Sequence, residues 1–132
     1  MGLLDIFKSD KVKSSQAHVI KPVDEPIEGY TLKYSYKDVV AVQIGEFPNW
    51  AELGNKVVFV HVTDDKFNPN SIRLLLVPQK KWFGYMGENK IKDMIIDYLE
   101  RGDKVEARIS SFEKVKYDII VKLNIAFFKK NK

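Results

Sequence analysis

Ile119-Ile120-Val121-Lys122-Leu123-Asn124-Ile125-Ala126-Phe127 decides how the chain is read. Apolar side chains recur at 119, 121, 123, 125 and 127, and a period of two puts them on one side of a pleated strand. Upstream, Val105, Ala107 and Ile109 alternate with Glu106, Arg108 and Ser110, so polar Glu113 to Asp118 is expected to connect a hairpin. The same period runs through Tyr30, Leu32, Tyr34 and Tyr36, which predicts a strand with those four side chains on its buried face. Lys37-Asp38 then reads as a turn, Val39 to Ile44 as a second strand and Val57 to Val62 as a third. Ile72 to Val77 and Trp82 to Met86 form a further pair joined by Pro78 to Lys81. Asp64 to Asn70, rich in Asp, Asn and Pro, is a loop because such side chains bond nearby backbone and tolerate unusual dihedrals.

Between these strand patterns the period changes. Ile91, Met94, Ile95, Tyr98 and Leu99 fall on one helical stripe, with Asn89 as the N-cap, Gly102 as the stop, and Lys92, Asp93, Asp97 and Glu100 expected in water. Pro48 to Gly54 reads as one short helical turn. The expected fold class is therefore β-rich (α+β): six or seven short strands, one main helix and one short helix. Closure into a curved sheet or barrel would remove the edges that such strands otherwise expose.

The chain has 132 residues, the size of one domain, and 45% of them are hydrophobic, enough for a core. Residues 1–28 are expected to be a flexible lead-in, polar from Lys8 to Glu28, and residues 29–132 the domain. At the start, Leu3, Leu4, Ile6 and Phe7 make a short amphipathic segment. Met1 to Lys8 lacks the basic flank and apolar length of a secretory signal, and Ile6 stands where a myristoylation site has Ser or Thr. No apolar run approaches the roughly 20 residues needed to span a bilayer, so no membrane span and a cytoplasmic location are expected. The net charge of +4 favours an anionic partner only slightly.

Little in the sequence points to catalysis. Without cysteine there is no thiolate nucleophile, no disulfide and no sulfur-based zinc site. His18 and His61 each stand apart from other metal-ligating residues, and the pairs Asp24-Glu25 and Asp64-Asp65 read as turn formers. Gly84-Tyr85-Met86-Gly87 is too short for a phosphate-cradling loop, and no serine sits between glycines at a strand-to-helix turn. The expectation is a binding module with no catalytic residue, no metal site and no cofactor.

A succession of pieces carries a resemblance: the strand Val58 to Thr63, the loop Lys66-Phe67-Asn68-Pro69-Asn70-Ser71-Ile72, the strand Arg73 to Val77, the step Gly84-Tyr85-Met86, and the helix through Leu99 to Gly102. In order and spacing it resembles the HIRAN domain, an accessory module of some helicase-like repair proteins that also occurs alone in bacteria. The resemblance implies a small OB-like β-barrel that binds single-stranded DNA or its 3′ ends. Phe67, Asn70 and Tyr85 match the family pattern, while Asn68 stands at its acidic loop position, Ala41 to Gln43 at its aromatic pair and basic residue, and Glu88 at a lysine. The candidate nucleic-acid-binding residues are Phe67, Asn68, Asn70, Arg73, Lys80, Lys81, Trp82 and Tyr85, with aromatic rings to stack bases and cations to follow phosphates. The alternative is a protein-interaction or structural module that keeps the barrel but has lost the DNA-end site, with the Met1 to Phe7 segment or an exposed sheet edge as its contact; Phe67 then anchors the loop on the barrel, Asn68 and Asn70 bond backbone, and Tyr85 belongs to the core.

Overall fold

A computed structural model describes residues 22–44, 47–64, 66, 70–116 and 118–132. Within them lie six strands and one α-helix: β1 (Tyr30–Gln43), β2 (Lys56–Val62), β3 (Ser71–Leu76), β4 (Lys81–Tyr85), α1 (Lys90–Glu100), β5 (Lys104–Val115) and β6 (Asp118–Lys130). All neighbours are antiparallel, and the sheet closes on itself in the order β1-β4-β3-β2-β5-β6 and back to β1. Among the described residues no helix is long and apolar enough to cross a membrane.

The two expected strands before Gly45 are one. Both halves of β1 lie along β6, from Tyr30 opposite Lys130 to Ala41 opposite Val121, and Lys37-Asp38 is a bulge rather than a hairpin turn. Asp38 takes a left-handed backbone (φ 54°), its N–H donates to Asn124 Oδ1 (3.1 Å), and its carboxylate accepts from Ser110 Oγ (2.8 Å). The extra residue is thus absorbed by side chains of β5 and β6 and the strand continues. A second irregularity lies between Leu32 and Tyr34. Leu32 and Tyr34 are 42% and 51% exposed, so the expected buried face of this strand is largely in water. Only Tyr36 turns inward, edge-on to Phe127 with ring centroids 5.9 Å apart.

Pro48 to Gly54 is two successive turns, not a short helix. Ala51 N–H donates to the Pro48 carbonyl and Asn55 N–H to that of Glu52, while Gly54 N–H donates to the Ile109 carbonyl (2.8 Å) and Ile109 N–H returns to Asn55 (3.0 Å). Glu52 N–H goes to Asn55 Oδ1 (2.7 Å) and Gly54 N–H to β5, so neither serves a continued helical ladder.

In α1 the expected caps are present. Asn89 Oδ1 accepts from Lys92 N–H (3.0 Å); at the other end Gly102 (φ 80°) donates to the Leu99 carbonyl and Asp103 to that of Tyr98, a Schellman arrangement. Ile95 and Tyr98 are buried, whereas Ile91, Met94 and Leu99 are only partly so. Lys92, expected in water, is 3% exposed and ion-paired with Glu88 one turn earlier. The ring interior is filled by Val57, Phe59, Ile72, Leu74, Phe83, Ile109, Leu123 and Phe127. Outside it, Val23 packs on Ala126 and Phe128, so β6 is buried on both faces from Ile125 to Phe128.

Candidate functional site

On β3 and β4 the sequence-predicted residues part company according to register. Arg73 pairs with Tyr85 and Leu75 with Trp82, and between them Phe83 and Gly84 together face Leu74 across a bulge. Strict alternation would put Trp82 and Tyr85, three apart, on opposite sides of the sheet; the bulge brings both to the outside. Arg73 lies between them with its guanidinium 4.3 Å from the Trp82 ring centroid. The indole N–H donates to the Gly84 carbonyl (2.8 Å), which fixes the ring and leaves it only a π surface to offer.

That outer face continues across the neighbouring strands. Val60 of β2 lies opposite Arg73, and Val42 of β1 lies opposite Tyr85, so Val60, Arg73, Tyr85 and Val42 form one row and Val58, Leu75 and Trp82 the next. Trp82, Val60 and Val42 are 43%, 38% and 36% exposed. Arg73 is the only charged member of the two rows. The valines were not among the candidates, yet Val57 to Val60 is apolar at every position, a pattern of strands covered on both faces.

The remaining candidates lie elsewhere. Phe67 and Asn68 are outside the described residues. Asn70 is exposed, and its Oδ1 sits 3.3 Å from His61 Nε2. Lys80 (φ 55°) in the β3–β4 turn and Lys81 at the start of β4, both exposed, lie at the opposite end of β3 from Asn70. At about 3.3 Å per residue the two ends of β3 are about 17 Å apart, so a ligand touching all of them must be extended along the hairpin.

What lets β1 reach this face is Gly84. A Cβ there would lie 2.2 Å from the Val42 carbonyl oxygen and 3.2 Å from Gln43 Cα. β1 and β4 approach where no side chain intervenes, and Ile44 N–H donates to the Phe83 carbonyl (2.9 Å) to close the seam. Among the described residues no group of three or more His, Asp or Glu side chains is placed to hold a metal ion. No family model, no curated protein and no solved structure matches this chain.

Proposed function

We propose that the chain is a non-enzymatic, cytoplasmic, HIRAN-like module with an OB-like barrel, and that the outer face of β4, β3 and β2 holds single-stranded nucleic acid. The observation that carries this reading is the exposed Trp82 ring held under the Arg73 guanidinium with Tyr85 alongside. Aromatic faces accept any unpaired base, a cation beside them meets the phosphate, and a duplex offers no free base to stack. Asn70 at one end of β3 and Lys80 and Lys81 at the other lie on the course of such a strand, and Phe67 and Asn68 belong to the loop that the resemblance makes its end-binding part.

The test is titration of a labelled single strand, its duplex, and versions ending in 3′-hydroxyl or 3′-phosphate, at several salt concentrations. Single strands should bind in preference to duplex. Trp82→Ala should weaken binding by about 1–3 kcal/mol, and Arg73→Ala should flatten the log-log salt slope by about 0.7. Equal binding of duplex and single strand, or no salt-sensitive binding at all, refutes the reading. The valine frame favours a second one: Trp, Tyr and Arg surrounded by apolar side chains is the composition of a protein-interface hot spot. A partner protein would bind through the same face with little dependence on salt.

A further inference from the structure

A concave site lies around the start of β4. Phe47, Pro48, Asn49 and Trp50 form one wall and Gln79 and Lys81 the other, enclosing about 280 Å³. At about 30 Å³ per water this is room for roughly nine waters, less than a drug-sized ligand fills and enough for a single planar group with a substituent. Two other cavities have similar size, 260 and 290 Å³, but in each two carboxylates offset two cations: Glu25 and Glu106 with Lys56 and Arg108 in the first, Asp103 and Glu106 with Lys56 and Lys104 in the second. Neither offers an anion a net positive lining. Among the described residues that line the cleft by β4, Lys81 alone carries a formal charge.

Its wall is anchored. The Phe47 ring stands edge-on to Phe83 (5.7 Å between centroids) and tilted against Phe112 (5.2 Å), and both Phe47 and Trp50 pack on the main core. The rim is polar and exposed: the Asn49 and Gln79 amides each offer donors and an acceptor, which suits the hydrogen-bonding edge of a base. Lys81 is the residue before Trp82, so the cleft begins one residue from the stacking face.

We propose that this cleft binds one nucleotide, its base between the Phe47–Trp50 wall and the Gln79 amide and its phosphate on Lys81. The assignment rests on the single-strand reading and deepens it: the strand lying on β3 and β4 would end, or turn one base inward, at the β3–β4 turn.

The chain has two tryptophans, Trp50 and Trp82, whose indole N–H signals separate cleft from face in a ¹⁵N-labelled wild-type protein, with Trp82→Phe used to assign them. Adding deoxyadenosine monophosphate should shift the Trp50 signal and the Asn49 and Gln79 side-chain amides saturably. Lys81→Gln should weaken that binding by about fivefold, as expected of a partly exposed ion pair, and the uncharged nucleoside should resemble the nucleotide on Lys81→Gln. If oligonucleotide binds but the mononucleotide moves none of these signals, the cleft assignment falls and the single-strand reading stands. If nucleotide and nucleoside bind wild type equally, the phosphate role of Lys81 is overturned. Saturable shifts at the cleft in a protein that binds no oligonucleotide would keep the nucleotide site and end the single-strand reading; no response to either ends both.

Discussion

The ring is made of two halves that are held together differently. β5, β6 and β1 pair almost continuously: Lys104 to Val115 against β6 on one side, Tyr30 to Ala41 on the other. β2, β3 and β4 are five to seven residues long and pair with one another over that length. The halves meet at two narrow seams, Val42 and Gln43 with Tyr85 and Gly84, and Lys56 and Val57 with Arg108 and Ala107. α1 packs on the long half, against β5 and β6. The inner residues of both halves are buried in one core, Ile72, Leu74 and Phe83 as fully as Ile109, Leu123 and Phe127; the long half differs in having β6, covered inside by that core and outside by Val23, at its centre. Both halves leave apolar side chains exposed, Leu32, Tyr34, Val40 and Ile120 on the long one and Val60 and Trp82 on the short one; on the short half the exposed Trp82 ring is held under the Arg73 guanidinium, which readies it for a ligand.

The largest effect should come from the centre of the long half. Phe127 is fully buried and meets Tyr36 and Tyr98 edge-on. Phe127→Ala should cost about 3–5 kcal/mol through lost burial and the cavity left behind. Val60→Thr on the outer face of the short half should stay within about 0.5 kcal/mol. Chemical denaturation of both variants measures the contrast, and similar losses would mean that the outer face is part of the folding core after all.

The seam comes next. Gly84→Ala forces a methyl group into the Val42 and Gln43 backbone, which cannot swing aside as a side chain would, so a loss of about 1–3 kcal/mol is expected. Amide exchange at Ile44 should rise, because its hydrogen bond to Phe83 continues the seam directly beside Gly84. A variant as stable and as protected as wild type would show that the ring is open between β1 and β4.

Much of this fold was legible in the chain, for a physical reason. Where one face is buried against the core, as in α1 or β5, the apolar period alone identifies the element and its inward side. The β1 bulge was not legible: Lys37-Asp38 has the composition of a turn, and it is Asn124 and Ser110, distant in sequence, that make it a kink within one strand. Lys92 reads as solvated, yet it is buried and its ammonium is paired with the exposed Glu88 one turn away. For the candidate site, sequence supplied Arg73, Trp82 and Tyr85. It could not supply the face, because the bulge opposite Leu74 is what puts Trp82 and Tyr85 on the same side. The aromatic cleft had no local signal, since Phe47 and Trp50 meet Gln79 and Lys81 only after the ring closes.

The smallest effect separates the halves by pH. Asp103 follows the Gly102 stop of α1, and its carboxylate accepts from Lys130 N–H (2.9 Å) at the end of β6 and from Arg101 Nε (3.2 Å). The Lys130 N–H, assisted by the Arg101 guanidinium and opposed by burial, holds the Asp103 carboxyl below the ordinary carboxylate range. A depressed folded-state pKa means that the unfolded chain takes up this proton first as the solution is acidified. The stabilisation is therefore complete above the unfolded value of about 4 and is lost as pH falls through the lower folded one. Acid should thus loosen the junction of α1 and β6 before it affects β2, β3 and β4. Followed by amide exchange between pH 5 and 2.5, Lys130 should lose protection ahead of Arg73 and Tyr85, and Asp103→Asn should remove most of that pH dependence at Lys130. Simultaneous loss in both halves, unchanged by Asp103→Asn, would show that the seams transmit the disturbance and that the two halves open as one unit.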